Sequence, residues 1–226
     1  APEDEAGEAA GEGEQDDAPA AGFAALYFPC VVFMSLLFLA QGISDDVWLE
    51  RVQGTLRRAV AGPFSVGPLL AGKLLAGAAV LAPIALGALV LGVLAFGFRW
   101  RDVPLAFVWV VAAGATATAF MTLVQLYTPS QRAGSLVTMT ILFPMLMLGG
   151  AFFPFEAMPG WMAAAGRATP NGWALERLKD VLFARWEPGE MAVGLVGTAA
   201  VLAVLYVLAR ARLGGLHAGL RRLHPP

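Results

Sequence analysis

Charged residues are scarce in this chain, and the few that it has are clustered. Asp, Glu, Lys and Arg make up 14% of the 226 residues, whereas a soluble domain has about a quarter. Five stretches contain none of the four, and each exceeds the roughly 18 residues that cross a bilayer as a helix. They are residues 18–44, 74–98, 103–131, 133–155 and 191–209. One such run fits a soluble core, but five predict an all-α polytopic membrane protein.

Cysteine and histidine are nearly absent, which excludes several kinds of site. Cys30 is the only cysteine, so neither an intrachain disulfide nor a cysteine-based metal site is expected. His217 and His224 lie apart in the basic C-terminal part, and we expect no metal site there. The apolar stretches hold no paired carboxylates and no Ser/His/Asp set, so we predict no enzyme activity. They also lack the central ionisable residue that proton-coupled carriers use.

The charge distribution divides the chain into three parts. Eight of the 17 acidic residues lie in residues 1–17, which carry no Lys or Arg, so we expect residues 1–22 to be a disordered segment or a loop remnant. Residues 23–210 form the predicted membrane domain, and residues 211–226 a basic tail. The predicted spans are residues 23–42, 69–98, 104–127, 135–153 and 190–210.

Five crossings place the two termini on opposite sides of the membrane, and the basic residues favour one orientation. With the N-terminal segment outside and the C-terminus in the cytoplasm, the inner side holds nine Lys and Arg residues and the outer side six. We therefore expect a multi-pass protein of the cell membrane, with membrane lipid and no nucleic acid among its partners.

Residues 45–60 connect the first two spans and have the pattern of an amphipathic helix. The sequence is DDVWLERVQGTLRRAV, in which apolar side chains recur with the i, i+3, i+4, i+7 spacing of one helix face. Asp45 and Asp46 suit a helix start, and Gly62-Pro63 suits a stop. We predict a helix at the membrane surface that contacts a partner. The predicted contact residues are Trp48, Leu49, Glu50, Arg51, Val52, Gly54, Thr55, Leu56, Arg57 and Arg58. The alternative is a helix that only lies on anionic lipid.

The start of the second span resembles a phosphate-binding loop without its last residue. GPLLAGKL, from Gly67 to Leu74, has Leu where that motif needs the Ser or Thr that holds magnesium. We therefore expect no nucleotide site here, and we expect Lys73 to extend its ammonium group to the membrane interface.

Polar residues on the third span form one helical face, with Thr118, Thr122 and Gln125 together and Thr116 nearby. They have two interpretations. The threonines can bond to carbonyl groups of their own helix, or the face can line a substrate path.

Residues 154–183 differ from the spans, because their uncharged middle is only about ten residues long and cannot cross the bilayer. Prolines bracket that middle, and tryptophans suit the headgroup level. We predict a re-entrant hairpin, with residues 173–183 as an amphipathic helix whose polar side includes Lys179. The marker residues of the hairpin are Pro154, Pro159, Trp161, Pro170 and Trp173.

Two motifs resemble the permease subunits of ABC transporters of the type-2 exporter superfamily. Residues 49–77 are similar to the cytoplasmic signature of that family, and residues 154–183 are similar to its extracytoplasmic element before the last span. Glu50, Arg51, Gly54, Thr55, Leu56, Pro63, Gly72 and Lys73 occupy the signature positions.

The resemblance implies six spans, of which five are seen here, and a coupling helix that docks on a separate ATPase subunit. It also implies pairing with a second permease copy or paralogue. No cofactor is then expected in this chain, because ATP and Mg bind the partner subunit. Two alternatives remain open: a membrane anchor or immunity protein that does not transport, and a carrier or pore that works without ATP.

Overall fold

The computed structural model describes residues 12–53 and 66–223, and this part of the chain contains helices and no strand. Two single 3-10 turns, Trp100–Asp102 and Phe155–Ala157, lie between longer elements. Residues 12–53 and 66–223 contain seven α-helices: α1 (Glu12–Val52), α2 (Val66–Phe96), α3 (Val103–Tyr127), α4 (Gln131–Leu148), α5 (Gly160–Arg167), α6 (Pro170–Leu182) and α7 (Pro188–Leu223).

Five of these helices are long and apolar enough to cross a membrane, which confirms the predicted all-α polytopic fold. The candidate spans are Gly22–Asp46, Gly67–Phe96, Trp100–Tyr127, Gln131–Leu148 and Pro188–Gly214. They coincide with the five predicted spans to within a few residues, because the length of each apolar run sets the length of helix that can lie in hydrocarbon.

Helix α3 lies at the centre and packs against α1, α2, α4, α6 and α7. Small residues allow this close packing. A Cβ atom on Gly114 would lie 3.1 Å from Leu81 Cδ1 of α2 and 3.2 Å from Leu36 Cδ1 of α1. Trp109 of the same helix is fully buried. α7 is the least buried span and presents valines to the surroundings, as expected for a helix next to lipid.

Because the spans alternate in direction, their ends fall into two groups. The linker end comprises the C-terminal parts of α1, α3 and α7 and the N-terminal parts of α2 and α4, and the undescribed residues 54–65 connect α1 to α2 there. The hairpin end carries α5 and α6, which lie between α4 and α7 in the chain.

The first helix departs from the prediction at both of its ends. α1 begins at Glu12, so residues 12–22 are helical rather than disordered, and it continues without a break to Val52. Asp45 and Asp46 therefore lie inside a helix and do not start one. Residues 45–52 extend the first span, so the amphipathic pattern there belongs to its last two turns. Residues 54–60 lie outside the described part. The basic tail is also helical as far as Leu223.

Candidate functional site

A buried network of polar side chains joins three helices at the linker end. Gln125 of α3 accepts a hydrogen bond from Trp48 Nε1 at 2.7 Å and donates one to Asp45, both on α1. Gln41 Nε2 donates to Thr138 Oγ1 of α4 at 2.9 Å and to Asp45 at 3.3 Å. We call these five residues the linker-end network. It ties the last turns of α1 to α3 and α4.

The network requires a very close approach between α3 and α4, and Gly134 permits it. A Cβ atom on Gly134 would overlap Gln125 Oε1, and it would lie 2.8 Å from Trp48 Nε1 and 3.0 Å from Thr128 Oγ1. Thr138, one turn later, donates to the Gly134 carbonyl at 2.8 Å. The glycine is thus needed for contact between side chains that lie far apart in the sequence.

The network adjoins the segment predicted to contact a partner. Trp48 is buried against α3, so it anchors the segment to the bundle and does not form part of an exposed contact surface. The side chains of Leu49, Glu50, Arg51 and Val52 lie outside the described part of the structure. The described part also excludes, backbone and side chain, Gly54, Thr55, Leu56, Arg57 and Arg58. Contact of these residues with a partner remains a prediction.

The polar residues of α3 do not all fit one interpretation: some bond to carbonyl groups of their own helix, and others face neighbouring helices or a cavity. Thr116 donates to the Ala112 carbonyl at 2.9 Å and Thr118 to the Gly114 carbonyl at 2.8 Å, so both bond to their own helix. Gln125 belongs to the linker-end network. Thr122 is buried from solvent and lines a cavity of about 480 Å³ at the linker end, together with Asp46 and Lys73. Whether this face lines a substrate path remains a prediction.

At the hairpin end the structure corrects the assignment of Lys179 to a polar surface. Lys179 is fully buried, and its Nζ donates to Glu156 at 2.9 and 3.1 Å and lies 5.5 Å from the centre of the Phe155 ring. The turn Phe155–Ala157 folds over α6 and covers this side of it. Glu176, Arg177 and Asp180 are half-buried.

The ion pair affects the ionisation of Glu156. Burial disfavours the charged form and tends to raise the pKa of Glu156, but the hydrogen bond from Lys179, a backbone hydrogen bond and the charges of Lys179 and Arg167 outweigh it. The pKa is therefore lowered from its ordinary value of 4.5.

Hydrogen bonds to the spans hold the hairpin element in place. Asn171 Nδ2 donates to the Met145 carbonyl of α4 at 3.2 Å, and Trp109 Nε1 of α3 donates to the Ala174 carbonyl at 2.8 Å. Tyr27 of α1 donates to the Phe152 carbonyl in the connection after α4. The element therefore contacts three spans and is fixed to the bundle.

The predicted marker residues of the hairpin occupy helix starts and surfaces. Pro154 precedes the 3-10 turn, Pro159 precedes α5, and Pro170 is the first residue of α6. Proline fits at each of these places because the first N–H groups of a helix have no partner within the helix, so the N–H that proline lacks is not needed there. Trp161 is 75% exposed, whereas Trp173 makes an edge contact with Trp109 at a centroid distance of 5.5 Å. The depth of the hairpin in a membrane remains a prediction.

Comparison with protein families gives a match consistent with this architecture. The model of the ABC-2 type transporter family matches residues 11–183, which is more than half of the chain. The chain belongs to the ABC-2 type transporter family. The match extends from α1 through the hairpin element. It makes the chain a multi-pass permease component of an ABC transporter, a transport subunit rather than an enzyme. A search of curated proteins found no match.

The sequence pattern revealed only part of the network. The pattern predicts Gln125 as a polar residue of the third span, but it does not place Gln41, Asp45 or Thr138 next to it. The isolated Gln41 near the end of the first apolar stretch was a usable signal, because a polar side chain in a span needs a partner on another helix. Nothing in the sequence indicated which helix supplies it.

Proposed function

We propose that this chain is the membrane-spanning subunit of an ATP-driven exporter. A separate ATP-binding cassette subunit binds ATP and Mg and hydrolyses the ATP, and this chain moves the substrate. A second permease copy or paralogue completes the membrane part. The N-terminal segment lies outside and the C-terminus in the cytoplasm, so the linker end faces the ATPase subunit. Family membership supports the permease role, and outward direction follows from the resemblance to exporters.

The linker-end network is the structural observation that carries the proposal. A partner that moves residues 45–60 moves the end of α1, a continuous helix from Glu12 to Val52. Through Trp48 and Asp45 the movement reaches Gln125 on α3, and through Gln41 it reaches Thr138 on α4. Side chains in fixed contact transmit a displacement between helices, which is the kind of coupling that alternating access requires.

The alternatives lack a comparable observation. An anchor or immunity protein does not need a polar connection between the segment after α1 and two other spans. A carrier that couples transport to protons instead of ATP needs an ionisable side chain within a span. The described part of the structure offers no ionisable side chain in the middle of a span to relay protons.

Reversal of charge in the segment tests the docking step. We expect Arg57→Glu with Arg58→Glu to abolish co-purification of the ATPase subunit encoded with this chain and to reduce ATP-dependent transport in vesicles to background. Arg132→Glu is the matched control, because Arg132 is exposed at the start of α4 at the same end. The Arg132→Glu variant should still co-purify with the ATPase subunit and still transport substrate. Full co-purification and transport by the double variant would refute docking through residues 45–60.

A second variant tests transmission separately from docking. Gln125→Leu removes the link from α3 to Trp48 and Asp45 without changing residues 45–60. We expect the ATPase subunit to co-purify normally while the ratio of substrate transported to ATP hydrolysed falls several-fold. An unchanged ratio would show that the linker-end network has no part in coupling.

A further inference from the structure

The turn Phe155–Ala157 is held over α6 by side chains rather than by its backbone. Its amide hydrogen bonds are local, since Ala157 N donates to the Pro154 carbonyl at 2.9 Å and Met158 N donates to the Phe155 carbonyl at 3.2 Å. In the described part of the chain, no backbone hydrogen bond joins the turn to a helix. The contact of the turn with α6 therefore depends on its side chains.

The side chain of Phe155 occupies a socket that exists because three nearby residues are glycine. The residue is 2% exposed. A Cβ atom on Gly150 or on Gly166 would lie 2.7 Å from a carbon of the Phe155 ring, and one on Gly172 would lie 2.9 Å from it. Since these three positions carry no side chain, nothing at them has to move aside when the ring leaves the socket or returns to it.

The buried ammonium group of Lys179 has carboxylates on two different elements beside it. Glu156, on the turn, accepts hydrogen bonds from Nζ at 2.9 and 3.1 Å. Glu176 lies on α6 three residues before Lys179, with its Oε1 4.0 Å from Nζ and 3.6 Å from Arg167 Nε. This Oε1 is buried, yet it has no hydrogen-bond partner among the described residues. A shift of Nζ by about 1 Å would bring Lys179 and Glu176 within hydrogen-bonding distance.

A second carboxylate on the same helix lowers the cost of lifting the turn. Lys179 is fully buried, and a buried charge that loses its partner is strongly unfavourable. Glu176 stays beside Lys179 wherever the turn lies, because both residues belong to α6. The side chain of Glu156 is already 42% exposed, so its carboxylate reaches water as soon as the turn lifts.

We propose that the turn Phe155–Ala157 is a lid that opens by an exchange of partners at Lys179. In the closed state, Lys179 bonds to Glu156 and the Phe155 ring fills its socket. In the open state, Lys179 bonds to Glu176, the carboxylate of Glu156 is hydrated, and the ring has left the socket. The ammonium group has a carboxylate partner in both states, so opening strands no buried charge. The lid is a property of the hairpin element and does not depend on the proposed transport function.

The rate at which a water-soluble maleimide labels Met158→Cys measures the opening of the lid. Met158 directly follows the turn and is 9% exposed, so the reagent reaches a thiol there when the turn lifts. Glu156→Gln should raise the rate about tenfold, because a hydrogen bond between charged groups is weakened in the closed state alone. Glu176→Gln should lower the rate about tenfold, because the corresponding bond is weakened in the open state alone.

The direction of the change in Glu176→Gln separates the exchange from a purely structural role. A Glu176 that only supports the closed state, through its ion pairs with Lys179 and Arg167, predicts faster labelling when it is replaced. Faster or unchanged labelling of Glu176→Gln would overturn the proposal. Asp180→Asn is the matched control on α6, because Asp180 pairs with Arg177 and Arg185 instead, and it should leave the rate unchanged.

A double variant tests whether the effect passes through the ammonium group. Lys179→Met removes the exchange, so adding Glu176→Gln to it should not change the labelling rate. A slowing that persists in this background would also overturn the proposal.

The native cysteine reports whether each variant is folded. Cys30 is fully buried in α1, so its labelling in the same sample indicates loss of the fold. If Met158→Cys exposes it, spin labels at the exposed positions Ala157→Cys and Glu187→Cys measure the opening instead. A population at longer distance should then grow in Glu156→Gln and shrink in Glu176→Gln, and the reverse order would overturn the proposal.

Discussion

Replacement of Gly134 by alanine is the sharpest test of the linker-end network. The added Cβ overlaps Gln125 Oε1 and comes within 2.8 Å of Trp48 Nε1. The Gln125 amide must therefore move, and it is the group that accepts from Trp48 and donates to Asp45. We expect Gly134→Ala to break both of these hydrogen bonds between helices while leaving the apolar core unchanged.

The size of the effect follows from the two bonds. A hydrogen bond between helices in a membrane contributes on average about 0.6 kcal/mol and at most about 1.7 kcal/mol. Loss of both costs about 1–3 kcal/mol. Replacement of glycine by alanine inside a helix offsets up to about 1 kcal/mol of this. Gly42→Ala on α1 supplies a control for that gain, because a Cβ atom there meets nothing within 4 Å.

Equilibrium unfolding in mixed micelles, followed by circular dichroism, measures the difference between the two variants. We expect the free energy of unfolding of Gly134→Ala to be about 1–3 kcal/mol below that of Gly42→Ala, because the contribution of helix propensity cancels. Gln125→Ala removes the overlap with Oε1 and both hydrogen bonds in advance, so adding Gly134→Ala to that variant should cost clearly less stability than Gly134→Ala costs alone, with only the approach to Trp48 Nε1 and Thr128 Oγ1 remaining. Equal stability of the two glycine variants would refute the reasoning.

Three further predictions concern the hairpin end. Glu156→Gln leaves the buried Lys179 ammonium with a weaker partner and should lower the free energy of unfolding by about 1–3 kcal/mol; adding Lys179→Met should recover part of the loss in the same unfolding assay. Because folding lowers the pKa of Glu156 from 4.5, the ionised carboxylate stabilises the fold at pH values above 4.5, and this stabilisation is lost as the pH falls through the lowered pKa. The free energy of unfolding measured between pH 6 and 3 should therefore fall in the unchanged protein by an amount that is absent in Glu156→Gln. Thr169→Val removes the side-chain oxygen that caps α6 by accepting from Gly172 N at 3.0 Å, and should cost about 1 kcal/mol, whereas Thr169→Ser should be nearly neutral.

The positions of the spans could be read from the sequence because they depend on local composition. A charge-free run of sufficient length is stable in hydrocarbon only as a helix, whatever its neighbours do. The prolines at 154, 159 and 170 likewise predicted interruptions, since proline lacks the N–H that a helix interior needs. The structure places each of them at the start of a helix or turn.

Two predictions failed where the surroundings of a residue decide its role. The pair Asp45-Asp46 has the composition of a helix start, but the apolar run before it and the bonds of Asp45 to Gln41 and Gln125 keep the helix continuous. Lys179 has the spacing of a polar helix face, but the turn that carries Phe155 and Glu156 covers that face.

The sequence by itself determined which five stretches of the described chain form helices long and apolar enough to cross a membrane, and which family the chain belongs to. The physical reason is that each backbone in hydrocarbon must satisfy its own hydrogen bonds, so apolar length alone fixes a span. Only the tertiary structure decided which polar side chains meet. Asp45 and Gln125 are 80 positions apart, and Gln41 and Thr138 are 97 apart. Contact at such separations depends on the packing of whole helices, which at Gly134 depends on the absence of a single methyl group.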